Sequence, residues 1–198
     1  MKHKLTILTA VVALLAFMIP GRVIGQVKTD ELAYTLDGHI TGGSNGYATE
    51  SDIEQNGLTW KVMGNTLMDP WRIGGKKIEN ENRPLYSTAP MSDNIVKIDV
   101  THGTANNITV NSMTLEVSSN PDFSGATLLT GEFAAEDVTT FNRPSGANWS
   151  GMYYRITYNV TVSGGSNRFL QFISAEFYKD GGGLPSVATP TFDPAGGT

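Results

Sequence analysis

The sequence has no cysteine and only three histidines. A chain without thiols can form neither a disulfide framework nor a cysteine-ligated zinc site, and it has no thiolate nucleophile. Its 14 Lys and Arg residues are outnumbered by 19 Asp and Glu residues, so the formal net charge is −5. Binding to phosphate backbones needs clustered Lys and Arg, and this balance therefore argues against nucleic acid as a partner.

Catalytic motifs are also missing. His39 and His102 stand in no metal-ligand spacing, and no Gly-x-Ser-x-Gly elbow exposes a serine nucleophile. We therefore expect a protein that is not an enzyme. A glycosidase is kept as an alternative, because two carboxylates suffice for glycoside hydrolysis. The candidate carboxylates are Glu50, Asp52, Glu79, Glu81, Glu116, Glu132 and Glu176.

Two segments could supply oxygen ligands to a structural calcium ion, namely Asp37-Gly38 and the acidic and amide run at residues 79–82. Neither forms the repeated Asp pattern of a calcium-binding loop, and a polar turn accounts for each of them. We expect no cofactor, with structural calcium as the alternative.

The first 25 residues have the pattern of a secretory signal peptide. Lys2 and Lys4 precede an apolar run at residues 5–19, and small residues lead to Gly25. That run is about 15 residues long, whereas a span across the bilayer needs roughly 20. We expect residues 1–25 to be a signal peptide, no membrane span once it is removed, and a location that is periplasmic, secreted or at the cell surface.

Alternation of apolar and polar residues dominates the chain from residue 32 to residue 178. Between Tyr153 and Val162 every second residue is apolar, which is typical of a strand with one buried face. Clusters of Gly, Pro, Asn and Asp separate such segments. We predict an all-β fold over residues 26–180, an antiparallel β-sandwich and within that class a jelly roll. Its predicted core comprises Trp60, Val96, Ile98, Leu115, Val117, Tyr154, Ile156, Tyr158, Phe172 and Phe177.

The last predicted strand has apolar residues in both phases. Ile173, Ala175 and Phe177 share one face, while Leu170 and Phe172 share the other. This pattern predicts either burial on both faces or a β-bulge.

The composition changes at residues 181–198, which we predict to be a flexible linker and tail without a core of their own. The final segment, from Ala188 to Thr198, carries the pattern Pro-x-Phe-x-Pro-x-Gly-Gly. This pattern resembles the first strand and turn of the chitobiase C-terminal-type, fibronectin III-associated β-sandwich repeat. The resemblance implies the truncated start of a second β-sandwich repeat.

A second resemblance covers residues 30–180. A Leu-x-Val-x-Ser strand and a Pro-Asp-Phe-Ser turn occupy residues 115–124, and an aromatic strand closes the segment at residues 172–178. These features resemble the jelly-roll accessory modules of secreted bacterial proteins. Such modules share no catalytic motif, so the resemblance implies surface display or glycan binding and transfers no functional residue.

The candidate binding residues follow from how proteins recognise sugars. An aromatic ring offers a flat apolar face to sugar C–H groups, and nearby polar groups bond the hydroxyls. Trp60 and Trp71 are predicted to lie in the core, whereas Trp149 lies in a polar, Gly-rich segment where it either binds ligand or caps the sandwich. We predict a sugar platform formed by Asn142, Arg143, Asn148, Trp149 and Tyr153. A second candidate site comprises Asn82, Arg83 and Tyr86.

These observations favour a non-catalytic accessory module that binds an extracellular or cell-surface carbohydrate through exposed aromatics. The first alternative is a structural spacer or adhesin that contacts a surface protein or presents another domain. We expect a monomer or one part of a longer multidomain chain. Exposed Trp and Tyr would favour glycan binding, and burial of every large aromatic would favour the spacer or adhesin.

Overall fold

A computed structural model describes residues 29–162, 164 and 167–181. The predicted signal peptide and the tail that resembles a β-sandwich repeat lie outside these residues. The segment Thr29–Gly181 forms one unit. Among the described residues, no helix has the length and apolar character needed to cross a bilayer.

The described residues form β-strands joined by turns, with no helix among them, which confirms the predicted all-β class. The strands are β1 (Asp30–Asp37), β2 (Glu50–Gln55), β3 (Leu58–Met63), β4 (Trp71–Gly74), β5 (Ile78–Ser87), β6 (Ile95–Asn106), β7 (Thr109–Ser118), β8 (Thr127–Gly131), β9 (Val138–Asn142), β10 (Tyr153–Val162) and β11 (Phe169–Asp180).

The strands build two antiparallel sheets that pack against each other. Sheet A has the order β1-β11-β6-β9, and β4 also pairs with β11. Sheet B has the order β2-β3-β5-β10-β7-β8. The first and last strands are partners, with Asp30 opposite Asp180 and Asp37 opposite Ser174. The β-sandwich is therefore confirmed, while the finer jelly-roll topology stays a prediction.

The core between the sheets agrees with the alternation of the sequence at almost every predicted position. In β10, residues at every second position are buried and those between them are half-buried. Trp60 of sheet B and Phe177 of sheet A have ring centroids 5.7 Å apart, so aromatic contacts join the two sheets. The predicted core residues that are buried are Trp60, Ile98, Leu115, Val117, Tyr154, Ile156, Tyr158, Phe172 and Phe177.

Val96 is the predicted core residue that is not buried. In the pairing of β6 with β11, Tyr178 lies opposite Lys97, but the next residue, Lys179, lies opposite Ile95. Val96 is therefore an extra residue in β6, and such a bulge reverses the phase of the side chains. Ile95 is fully buried in place of Val96, which is half-buried.

A bulge also explains the conflicting phases of β11. Its register with β6 shifts on both sides of Phe172. Phe172 and Ala175 are both fully buried although they are three residues apart, and Ile173 between them is half-buried. The bulge alternative is confirmed, whereas the prediction that Ile173 shares the buried face of Ala175 was wrong.

Candidate functional site

A depression of about 490 Å³ lies on the outer face of sheet B, and we call it the sheet B groove. Its lining comes from the outward side chains of β5, β7 and β10, together with one residue of β8. Most of these side chains carry hydroxyl or amide groups. The lining residues are Asn82, Pro84, Ser112, Thr114, Glu116, Leu128, Arg155, Thr157 and Asn159.

Strand register arranges the floor of the groove in rows. Thr157 of β10 lies between Pro84 of β5 and Thr114 of β7. In the next row, Asn159 lies between Asn82 and Ser112. Side chains directly opposite in an antiparallel pair have Cβ atoms about 5 Å apart. The hydroxyl and amide groups of three strands therefore form one continuous polar surface.

Hydrogen bonds between asparagines extend this surface beyond one end of the groove. Asn159 Nδ2 donates to Asn82 Oδ1 at 2.9 Å, and Asn111 Nδ2 donates to Asn159 Oδ1 at 2.8 Å. Asn111 Nδ2 also lies within hydrogen-bond distance of Asn80 Oδ1 and Thr161 Oγ1. All these bonds are exposed to solvent, so they orient amide and hydroxyl groups at an accessible face without adding charge.

An ion pair occupies the other end of the groove. Arg155 donates through Nε and Nη2 to the two carboxylate oxygens of Glu116. The two side chains are 31% and 20% exposed, so solvent still reaches both of them. Because a bidentate pair of this kind cancels its own charge, the groove combines fixed polar groups with little net charge.

The turn between β7 and β8 supplies an aromatic support for this ion pair. The Arg155 guanidinium lies 4.3 Å from the centroid of the Phe123 ring, and Tyr86 meets Phe123 edge to face. Asp122 holds the turn, because its carboxylate accepts bonds from the N–H and hydroxyl of Ser124. These bonds hold the pKa of Asp122 below its usual range.

Trp149 is not exposed, in contrast to the platform predicted from the sequence. Its side chain is 2% exposed and meets Tyr154 edge to face, with ring centroids 6.2 Å apart. Its backbone N–H donates to Asn94 Oδ1, and its carbonyl accepts from the Tyr154 hydroxyl. The ring therefore caps the sandwich and offers no face to a sugar.

The other members of the predicted platform are divided between the two sheets and the connection from β9 to β10. Arg143 Nη1 donates to Asn94 Oδ1, the atom that also binds the Trp149 backbone. Asn148 Oδ1 accepts from the backbone of Ser150 within its own turn, and Asn142 is exposed at the end of β9 in sheet A. Tyr153 is half-buried in β10 of sheet B.

The second predicted site divides into a structural part and a groove part. Arg83 is 3% exposed and donates from Nε to the Gly74 carbonyl at 3.0 Å. Its Nη2 donates to Glu81 at 3.0 Å, so this guanidinium is already bound within the protein. Asn82 lines the groove, and Tyr86 lies beside the Phe123 ring. Arg83 is thus a structural residue, which corrects its expected role at the surface.

His102 lies in the core, within β6. Its side chain is 2% exposed, and Nε2 lies 3.0 Å from the Tyr158 hydroxyl oxygen. Burial lowers the pKa of His102 to about 4. The ring is therefore neutral at physiological pH.

Among the candidate carboxylates, Glu50 and Asp52 share the exposed face of β2, where Tyr86 donates to Glu50 and Lys61 donates to Asp52. Glu116 and Glu176 lie on different sheets. Glu116 binds Arg155 in the groove, where no other lining residue is a carboxylate. Glu176 alternates with the buried Ala175 and Phe177 and therefore lies on the outer face of sheet A. There it accepts a hydrogen bond from Tyr178, and this bond raises the pKa of the Tyr178 hydroxyl to about 12.

The segments proposed for calcium have other partners in the structure. Asp37 Oδ1 accepts from the backbone of His39, and Asn80 and Asn82 belong to the asparagine network. Within the part of the chain that the structure describes, no three His, Cys, Asp or Glu side chains gather as a metal site. Calcium binding stays an untested prediction.

No protein-family model and no curated protein matches this sequence. The resemblances to accessory modules therefore stay predictions, and the site has to be interpreted from its geometry. The alternation between Tyr153 and Val162 places Arg155, Thr157 and Asn159 on the polar face of that strand. Alternation does not show that β5 and β7 lie on either side of β10, and the groove forms because these three strands are neighbours.

Proposed function

We propose that this protein is a non-catalytic module that binds carbohydrate in the sheet B groove. The observation that carries the proposal is the row of uncharged donors and acceptors from Asn82 through Asn159 to Ser112. Sugar hydroxyls donate and accept hydrogen bonds, and amide and hydroxyl side chains do both as well. Groups already held by neighbouring side chains lose less conformational freedom when a ligand binds.

The proposed binding differs from the stacking on Trp149 that the sequence suggested. Polar contacts would supply most of the interaction, with apolar contact from Leu128 and Pro84 to sugar C–H groups. Leu128 is 60% exposed at the β8 side of the groove, although leucine is usually buried. The geometry supports a ligand that lies across β5, β10 and β7.

Export is part of the same proposal. The signal-like segment at residues 1–25 and the net charge of −5 suit an extracellular or cell-surface protein. In that setting the groove would meet polysaccharides of the surroundings or glycans of another surface.

The burial of all three Trp side chains favours a second function, that of a spacer or adhesin. Trp60 and Trp71 are 0% exposed and Trp149 is 2% exposed. None of the exposed large hydrophobic residues in the described part of the chain is aromatic. This surface also suits a spacer or adhesin that presents another domain or contacts a protein.

A glycan array followed by calorimetry on each hit tests the primary proposal. The double variant Asn82→Ala/Asn159→Ala removes two neighbouring amides, so we expect at least a tenfold weaker affinity for the glycan found. That factor corresponds to about 1.4 kcal/mol, or one to two net hydrogen bonds.

Thr101→Ala on the outer face of sheet A is the matched control, and it should leave the affinity unchanged. Thermal unfolding of each variant separates loss of binding from loss of fold. An array on which a folded protein binds nothing would favour the spacer or adhesin. Binding that survives the double variant would remove the groove from the proposal.

A further inference from the structure

Four cations at one corner of this acidic protein lack a carboxylate partner. Five other cations, on strands throughout the sandwich, pair with Asp or Glu, and Arg143 binds the Asn94 side chain. Among the described residues, no ion pair reaches any of the four. We call them the basic corner, and they are Arg72, Lys76, Lys77 and Arg168.

Strand pairing places these four residues together. In the β4–β11 pair, Arg72 lies opposite Gln171 and Gly74 lies opposite Phe169. Arg168 directly precedes Phe169, and its carbonyl oxygen lies 2.5 Å from the point that a Cβ on Gly74 would occupy. Lys76 and Lys77 follow Gly74 by two and three residues, and both are exposed. The backbones of all four residues therefore lie within three residues of one contact between β4 and β11.

Arg72 is fixed in a conformation that leaves its charge without a partner. Its guanidinium lies 4.0 Å from the centroid of the Phe169 ring. Its Nε is buried and has no hydrogen-bond partner among the described residues. Stacking on an aromatic ring holds a guanidinium in place, and because Arg72 is only half-buried its terminal N–H groups can still bind an anion.

Nearby carboxylates only partly offset this charge. Glu81 is bound to Arg83, so it is not available to the corner. Glu79 is exposed and lines a cavity of about 440 Å³ together with Lys77. The corner is therefore locally positive on a chain whose formal net charge is −5.

We propose that the basic corner binds the anionic groups of an acidic polysaccharide, such as one built from uronic acids. This second site is independent of the proposed function, because none of its four residues lines the sheet B groove. Arg72 and Arg168 would pair with carboxylates through their planar N–H edges, while Lys76 and Lys77 would act as exposed point charges.

Charge distribution favours a single polysaccharide chain over a membrane or a nucleic-acid duplex. A broad anionic surface would also face Glu79 and the other acidic parts of the molecule, and like charges brought together are repelled. One flexible chain can contact the corner while leaving those carboxylates in solvent. Binding through so few exposed cations should be weak and should fall steeply as salt is added.

Binding to polygalacturonate at low and at moderate ionic strength tests the proposal, with the fully methyl-esterified polymer as the uncharged counterpart. We expect binding to the acidic polymer alone. The variant Lys76→Gln/Lys77→Gln should weaken it at least tenfold and reduce its salt dependence. The control Lys61→Gln/Lys179→Gln removes the same charge from cations that pair with carboxylates, and it should have a much smaller effect.

Equal losses in the two double variants would overturn the proposal, because they would show a response to net charge alone. Absence of binding to polygalacturonate at low salt would overturn it too, as would preferred binding to phosphatidylglycerol vesicles or duplex DNA. The groove variant Asn82→Ala/Asn159→Ala should keep its binding to polygalacturonate. This variant therefore distinguishes an error in the proposal for the sheet B groove from an error in the proposal for the basic corner.

Discussion

At the scale of single residues, His102 and Tyr158 form a hydrogen-bonded pair in the core. Phe133 covers the imidazole edge to face, with ring centroids 4.9 Å apart. Nε2 has the Tyr158 hydroxyl as its partner, while Nδ1 is buried with no partner among the described residues. A buried imidazole of this kind resists protonation, because burial removes the solvation of its charged form and Asp137 offsets that loss only in part.

Because the buried His102 ring resists protonation, we predict that the protein loses stability in mild acid. The pKa of His102 is lowered from 6.5 to about 4 in the folded state, so the unfolded chain binds the proton first as pH falls. The free energy of unfolding should therefore decrease from about pH 6.5 downward, by roughly 2 kcal/mol at about pH 4.5. Urea unfolding at several pH values measures this decrease.

His102→Gln keeps a polar partner for Tyr158 but does not titrate, so its stability should change less over the same range. A pH profile identical to that of the unchanged protein would show that other groups cause the loss.

Trp149 leads to a second prediction at this scale. Replacing a buried Trp by Ala leaves a cavity, so Trp149→Ala should lower the free energy of unfolding by about 3 kcal/mol or more. Tyr153→Ala, at the start of the same strand as Tyr154 but half-buried, should cost much less. Urea unfolding followed by circular dichroism compares the two, and an unchanged midpoint for Trp149→Ala would contradict the capping role.

At the scale of the strands, turns and bulges define where each side chain lies. The β2–β3 hairpin turns at Asn56 and Gly57, which have φ angles of 51° and 78°. These positive values match the two-residue turn that suits the right-handed twist of paired strands, and Asn-Gly is its preferred sequence. The turn places Ile53 opposite Trp60, so both reach the core in the same row.

Gly57→Ala should destabilise the hairpin through its backbone alone. No atom lies within 4 Å of the added Cβ, so the cost comes only from the positive φ and should be about 1 kcal/mol. Gly42→Ala is the control, because its Cβ would make an ordinary contact at 3.7 Å and its φ is not in the left-handed region. Thermal unfolding should show a lower midpoint for Gly57→Ala only; equal midpoints would argue against the turn conformation.

At the scale of the whole molecule, the fold depends on pairings between distant parts of the chain. β1 and β11 are the first and last strands and lie side by side, and β10 joins β5 to β7 in sheet B. The same arrangement creates the two proposed binding surfaces. Uncharged side chains from β5, β7 and β10 form the groove, while the pairing of β4 with β11 gathers the cations of the basic corner.

Much of the fold could be predicted from the sequence, because side-chain alternation is a local property of each strand. The buried face of β10, the burial of Trp60 and Trp71 and the all-β class all follow from period-two patterns and turn residues. Where a bulge adds one residue, as at Val96, the local pattern assigns the wrong face. The burial of Trp149 was undecided for a related reason, since its segment has no alternation.

Which strands lie side by side, in contrast, depends on pairing between segments that are far apart in the chain, and local alternation does not reveal this pairing. The alternation shows polar faces on β7 and β10, but the sheet order is what places Asn82 of β5 in one row with Asn159 and Ser112. The sequence shows cations at Arg72 and Arg168, but the β4–β11 register brings them to one corner. Alternation and turns thus establish which side chains face solvent, and long-range pairing establishes which of them act together.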